Sequence, residues 1–265
     1  MTVGGSTPGV VVRLDTVDST QSVAFALAER GAADRTVVVA DQQLEGRGRR
    51  GRTWRAPAGT SLLASIIVRP RLPQALLATL SLATAVATAE ALRRVARVET
   101  KLKWPNDVLV GGRKIAGILL ESRTAARAET SSSVTAGIPP LVTIIGIGIN
   151  LGQREFSPDL ADSATSVALE TGHAPSRESL LTALLEEFDT WRARLEGEGF
   201  GPIREGWRRL SDTLGRRVTV DAVTGVAADL DTDGALLIDV GGSLTRVLAG
   251  AVSSGDTAVG SPVPP

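Results

Sequence analysis

The sequence predicts an α/β domain followed by a small all-β module, and three observations lead there. Apolar β-branched runs at Thr36–Asp41 and Ser61–Val68 are bounded by turn residues, as buried strands are. The Ala/Leu-rich stretch Gln74–Ala96 then reads as a long helix packed on the sheet they form. From Arg216 the texture changes to short alternating runs (RRVTVDAV, GVAADL, ALLIDV, LTRVLAG), with turns at Asp231–Gly234 and Gly241–Gly242. Such spacing is that of a small barrel.

Composition bounds what such a protein does. With 265 residues, 43% of them hydrophobic, the chain can bury a sizeable core. Twenty-nine basic residues balance 29 acidic ones, so no global field draws it to nucleic acid or a membrane, and any positive patch is local. Cysteine is absent, which excludes a disulfide scaffold, a thiol nucleophile and Cys-ligated zinc. His173, the single histidine, follows Gly172 in a polar connection and leaves little for His-based triads or metal sites. The opening residues lack the basic-then-apolar pattern of a signal peptide. No apolar run is read as reaching the roughly 18 residues of a membrane span. The expectation is a cytoplasmic protein with no nucleic-acid and no membrane partner.

The remaining elements follow in order. Asp18-Ser-Thr-Gln21 looks like a capping box, with Asp18 the N-cap of a helix over Ser22–Arg30 that stops at Gly31. After the breaks at Pro70 and Pro73 comes the long helix, then a strand over Val98–Lys103 closed by Trp104-Pro105-Asn106-Asp107. Val108–Val110 and Ile115–Glu121 flank GGRK, a hairpin turn. Residues 122–140 have no hydrophobic period and are expected to loop out before a strand over Leu141–Leu151. Helices over Arg177–Glu196 and Pro202–Leu210 lead to the β module. The predicted domains are 10–212 and 213–254, with a disordered tail over 255–265.

Residues 46–54, GRGRRGRTW, open with G-x-G-x-x-G. A dinucleotide loop needs a helix next, but RTWRAPAGT holds a proline and no helical period. Five arginines within 47–55 form a local basic patch, yet a neutral chain with few interleaved aromatics argues against nucleic acid. A solvated basic loop is the bland alternative. The reading that remains is an anion loop: glycines let backbone amides approach a ligand while Arg47, Arg49 and Arg52 supply charge.

Four segments together resemble the biotin–protein ligases: Asp18-Ser-Thr-Gln21; Gln43 with Gly46–Trp54; KWPND (Lys103–Asp107) with KIAGIL from Lys114; and GIGIN (Gly146–Asn150). The resemblance covers roughly residues 13–250 and is of the type without a DNA-binding domain. It implies a class II aminoacyl-tRNA synthetase-like catalytic domain with a mixed sheet, plus a C-terminal SH3-like β-barrel. It also implies the reaction, in which ATP with Mg²⁺ activates biotin as biotinyl-5′-AMP. Biotin then passes to one lysine of a biotin carboxyl carrier protein domain.

The resemblance implies roles as well. Ser19, Thr20, Gln21 and Gln43 match positions that hydrogen-bond biotin's bicyclic head, and Arg47, Gly48 and Arg49 match the loop that closes over the adenylate. Lys114 matches the lysine that holds the biotin carboxylate and then the acyl phosphate. Arg49, Arg52, Lys103, Asn106 and Asn150 are expected toward ATP. Asp107 is the candidate for helping deprotonate the acceptor lysine, so the catalytic set is Arg47, Arg49, Asp107 and Lys114. Protein ligands for the metal are not assigned. Trp54 and Trp104 are read as core fillers, with adenine stacking the alternative.

Two departures from the family pattern stand out. Glu45 precedes the first loop glycine, where a small residue is usual, and Gln21 replaces an asparagine. The runner-up is a lipoate–protein ligase, whose ligand carries no ureido group. A non-catalytic binding module would be expected to lose Lys114 or the arginines, and this chain keeps them.

Overall fold

The computed structural model describes residues 10–124 and 141–258. Its larger sheet has seven strands: β1 (Val11–Val17), β2 (Val37–Gln43), β3 (Ser61–Val68), β4 (Lys101–Lys103), β5 (Asp107–Val110), β6 (Arg113–Thr124) and β7 (Leu141–Asn150). They lie in the order β1-β2-β3-β7-β6-β5-β4, with β1 and β2 parallel and every other pair antiparallel. This is the expected mixed sheet. Helix α1 (Thr20–Glu29) makes the crossover that a parallel pair requires.

The two faces are covered unequally. One is packed against α2 (Thr79–Ala96), α4 (Arg177–Glu198) and α5 (Gly201–Leu210), forming the main core around Leu80, Leu92, Ile147, Phe188 and Trp207. The other carries only α1, whose Ala24, Phe25 and Ala28 pack on Val38, Ile67, Val142 and Ile144. Beyond α1 that second face is open, and the candidate site lies there.

The segment Gln74–Ala96 begins with a 3₁₀ turn over Gln74–Leu76 before the α-helix proper. Contrary to the sequence reading, it is long and apolar enough to span a membrane, with a window mean hydropathy of 1.6. That window is 67% buried, as befits a helix held between a sheet and α4.

Other boundaries move for local reasons. The N-cap of α1 is Ser19 rather than Asp18: its hydroxyl accepts from the Gln21 N–H at 3.3 Å. Gln21 turns its side chain across to β6 instead of back to the cap. The strand expected over Val98–Lys103 shrinks to β4, because Arg97 is left-handed and Thr100 bonds back to Ala89 and Arg93 of α2. Gly111 and Gly112, both at positive φ, make the β5–β6 turn. Residues 122–124 belong to β6, and the rest of the loop expected over 122–140 lies outside the described residues. The sequence reading passed over β1 and the short helix α3 (Val167–Thr171).

The C-terminal module is a five-stranded antiparallel sheet ordered β11-β10-β9-β8-β12. Its strands are β8 (Arg216–Val220), β9 (Val223–Leu230), β10 (Leu236–Val240), β11 (Ser243–Val247) and β12 (Val252–Ala258). Because β12 pairs with β8 as far as Ala258, residues 255–258 belong to the sheet and not to the expected tail. Residues 259–265 lie outside the described residues. The junction with the first domain is pinned: Thr213 Oγ1 accepts from the Trp104 N–H at 2.9 Å, and Trp104 Nε1 donates to the Gly234 carbonyl at 3.1 Å.

Candidate active site

Strand alternation explains GIGIN. Ile145, Ile147 and Ile149 of β7 point into the main core, so Gly146 and Gly148 fall on the open face. They register with Leu119 and Gly117 of β6 and with Ser65 and Leu63 of β3. The missing side chains leave a trough. A Cβ on Gly148 would lie 2.5 Å from the Trp54 ring, and one on Gly146 would lie 2.1 Å from Gln21 Oε1. At Gly148 the rigid ring excludes a side chain, and at Gly146 a side chain would have to displace the Gln21 amide.

Over this trough lies a cleft of about 360 Å³, within the range of small-ligand sites. At one end is the α1 N-terminus with Ser19, Thr20 and Gln21, all buried. Gln43 Oε1 accepts from both the N–H (2.8 Å) and the Oγ1 (2.9 Å) of Thr20. The Gln43 amide therefore turns its NH₂ outward as a donor. Gln21 does the opposite. Its Nε2 donates to Glu121 Oε2 at 2.7 Å and to the Leu119 carbonyl at 3.4 Å, leaving its carbonyl as an acceptor.

At the other end the lining is cationic: Arg47, Arg49, Arg52, Arg55, Lys103 and Lys114 against a single carboxylate, Asp107. A neutral chain thus gathers a local cluster of cations. Lys114 stands at a β-bulge, where the β5–β6 register shifts between Val108 and Leu109. Bulges re-aim side chains. Its Nζ lies 2.6 Å from Asp107 Oδ1 and 5.6 Å from the Trp54 ring centroid. Arg49 Nη1 donates to Asn106 Oδ1 at 3.1 Å, and burial lowers the guanidinium's pKa, opposed by Asp107 and reinforced by Arg50 and Arg52. Arg47 reaches Ser22 Oγ at 3.3 Å and Glu121 at 3.4 Å, with its buried Nε left without a partner. Arg52 and Lys103 have no ion-pair partner among the described residues.

The glycine loop differs from expectation in one respect. The Gly48 N–H donates to the Arg52 carbonyl at 2.7 Å and the Trp54 N–H to the Gly46 carbonyl at 2.8 Å. Those amides close the loop on itself, so the ligand meets side chains there rather than the Gly48 amide. Asn150 is a second case. Its Nδ2 donates to the Thr165 carbonyl at 2.9 Å and its Oδ1 accepts from Gln153 at 3.1 Å, so the amide anchors the loop after β7. Glu45 is exposed and does not line the cleft. Trp104 is a buried core filler, and His173 is exposed outside the cleft. Trp54, expected as a core filler, is instead half-buried and lines the cleft over Gly148. Gly117, Gly146, Gly148 and Glu121 are contributors that carried no individual expectation. The alternation of glycine with isoleucine in GIGIN was the signal for the trough.

A model of the biotin/lipoate A/B protein ligase family matches residues 14–138. The biotin–[acetyl-CoA-carboxylase] ligase of Paracoccus denitrificans is 36% identical over 230 residues, covering 83% of this chain and 90% of that protein. The chain belongs to the biotin protein ligase family. A second member, from Mycobacterium tuberculosis, is 33% identical over 258 residues, covering 91% and 88%. The bifunctional ligase/repressor BirA of Bacillus subtilis is 32% identical over 247 residues, covering 91% and 73%. Among solved structures, the family's Aquifex aeolicus enzyme in complex with biotin and ATP superimposes with a TM-score of 0.78 at 28% identity, covering 94% and 99%.

Proposed function

We propose that this chain activates biotin with ATP and transfers it to a lysine of a biotin carboxyl carrier protein domain of a biotin-dependent carboxylase. The observation that carries the reading is the polarity of the cleft: a neutral donor–acceptor pair at one end and a cluster of cations at the other. A ureido group offers one carbonyl and two N–H groups. The Gln43 NH₂ supplies a donor for the carbonyl and the Gln21 carbonyl an acceptor for an N–H. A lipoyl ring would leave both unpaired, at about 1–3 kcal/mol each.

In the first step a biotin carboxylate oxygen bonds to the ATP α-phosphorus, and the bond to the bridging oxygen breaks to release pyrophosphate. Biotin is already ionised near neutral pH, so no base is needed. The obstacle is bringing two anions together, which Lys114 on the carboxylate and Arg49, Arg52 and Lys103 on the phosphates offset. Arg47 and Arg49 hold the loop over the adenylate and exclude water. In the second step the acceptor amine attacks the acyl carbon and AMP leaves. The incoming ammonium, with a pKa near ~10.4, first loses a proton, and Asp107 is the lining carboxylate that takes it.

Among the described residues no group of three His, Cys, Asp or Glu could cage a metal. A Mg²⁺ carried on the triphosphate would find Asp107 as the carboxylate lining the cleft. When bound, the ion neutralises charge on the leaving pyrophosphate. ATP and apo-carrier meet in the cytoplasm, which is the setting this reading implies.

Pyrophosphate exchange into ATP tests the reading. Exchange dependent on biotin and absent with lipoate is expected. Exchange with lipoate alone would transfer the chain to the runner-up.

A further inference from the structure

We propose that Glu121 is a positioning residue that sets the polarity of the ligand-head pocket and ties that pocket to the glycine loop. The proposal rests on the reading of Gln21 as a contact to the ureido group. Glu121 stands on β6 opposite Ile144, one step beyond Leu119 on the open face of the sheet. Its Oε2 accepts from Gln21 Nε2 at 2.7 Å and lies 3.4 Å from Arg47 Nη2.

The consequence follows from what each group can do. A carboxylate and a peptide carbonyl only accept, so the Gln21 NH₂ must face Glu121 and Leu119. Its carbonyl then faces the other way, into the space above Gly146 where a Cβ would lie 2.1 Å from Oε1. The two ends of an amide are nearly the same shape, so sterics alone would not choose between them. Without Glu121 only the long 3.4 Å contact to the Leu119 carbonyl holds the amide, so the turned-over form, with NH₂ beside the NH₂ of Gln43, gains population. The two amides then offer two donors and no carbonyl acceptor, and an N–H ligand loses the Gln21 carbonyl as its partner. The second contact brings Arg47 of the loop to the same carboxylate, next to a buried Arg47 Nε that has no other partner. One side chain thus serves both head recognition and the seating of the loop.

A double-mutant cycle on biotin affinity, read by calorimetry without ATP, tests this. Glu121→Ala is expected to weaken biotin about 10-fold. On a Gln21→Ala background the same change is expected to cost less than about 3-fold, because the amide whose polarity it sets is gone and only its longer contact with Arg47 remains to be lost. Glu121→Gln, whose amide carbonyl still accepts from Gln21, is expected to stay within about 3-fold of wild type. Glu121→Leu keeps the volume without the acceptor and replaces the alanine variant if that fails to fold. An undiminished loss on the Gln21→Ala background, or no loss in Glu121→Ala and Glu121→Leu, would overturn the proposal. Wild type failing to bind biotin would instead overturn the reading of the pocket on which it stands.

Discussion

Lys114 holds its ammonium 2.6 Å from Asp107 and 5.6 Å from the centre of the Trp54 ring. A compact charge placed against one carboxylate can be handed to another, which suits a residue that greets an anionic substrate. Lys114→Ala is expected to lower biotin-dependent pyrophosphate exchange at least about 100-fold, the usual loss for one preorganised cationic or oxyanion contact. Steady-state exchange assays check this, and a loss under about 5-fold would remove Lys114 from the chemistry. Gly148→Ala pushes a methyl into the Trp54 ring, since its Cβ would lie 2.5 Å away. Biotin affinity is expected to fall about 10-fold as the ring is displaced into the trough, alongside about 1–3 kcal/mol of lost stability from overpacking. Calorimetry beside a thermal melt checks it. At this scale the gathering of Lys114, Gln43 and the loop arginines in one cleft was legible, because each belongs to a motif segment. Glu121 and Trp54 were not: their roles come from a neighbouring strand, and β6–β7 register is invisible in a single sequence.

The glycine loop is held at both ends. Inside the first domain, Arg47 reaches Ser22 and Glu121 while Arg49 bonds Asn106. At its tip, Arg50 makes a two-pronged ion pair with Asp221 in the β8–β9 turn, at 2.9 and 2.8 Å. Both residues adopt positive φ. Each partner is about half exposed, so the pair adds little stability. Its expected effect is on where the loop rests. Asp221→Ala is expected to raise the KM for ATP about 3- to 10-fold while leaving the melting temperature unchanged; an unchanged KM would show that the tether is incidental. Among elements, β3 was read to the residue because its run is dominated by apolar residues, is buried throughout and is bounded by turns. The N-cap of α1 lies one residue beyond the expected Asp18, since Asp18 and Ser19 are both good caps and only backbone geometry decides. The strand β12 escaped because SSGDTA has no alternation. Its place is set by pairing with β8.

The two sheets meet around KWPND, where Trp104 bonds both Thr213 and Gly234. Arg204 and Arg208 of α5 both bond Asp229 of β9, joining the module to the last helix. Hydrogen bonding from Arg208 foremost, with help from the Leu230 N–H and Arg204, holds the Asp229 carboxyl down at about 2 against the opposing effect of burial. A depressed carboxyl stabilises the fold above its unfolded pKa of about 3.9 and loses that contribution as pH falls toward 2. Asp229→Asn is expected to cost about 1 kcal/mol near pH 6 after solvent screening, a drop of about 2–4 °C in Tm. The gap to wild type should close between pH 4 and pH 2, and a gap that persists at pH 2 would contradict this linkage.

The central claim is that one cleft takes biotin at its neutral end and ATP at its cationic end, then serves a carrier lysine. Acceptor labelling tests it most directly. The purified chain, Mg-ATP and an apo biotin carrier domain are mixed with either biotin or lipoate, and the acceptor's intact mass is read beside AMP release. The account predicts a single biotinyl mass increment with stoichiometric AMP, none with lipoate, and loss of both signals in Lys114→Ala. A lipoyl increment, or biotin labelling that survives in Lys114→Ala, would contradict it.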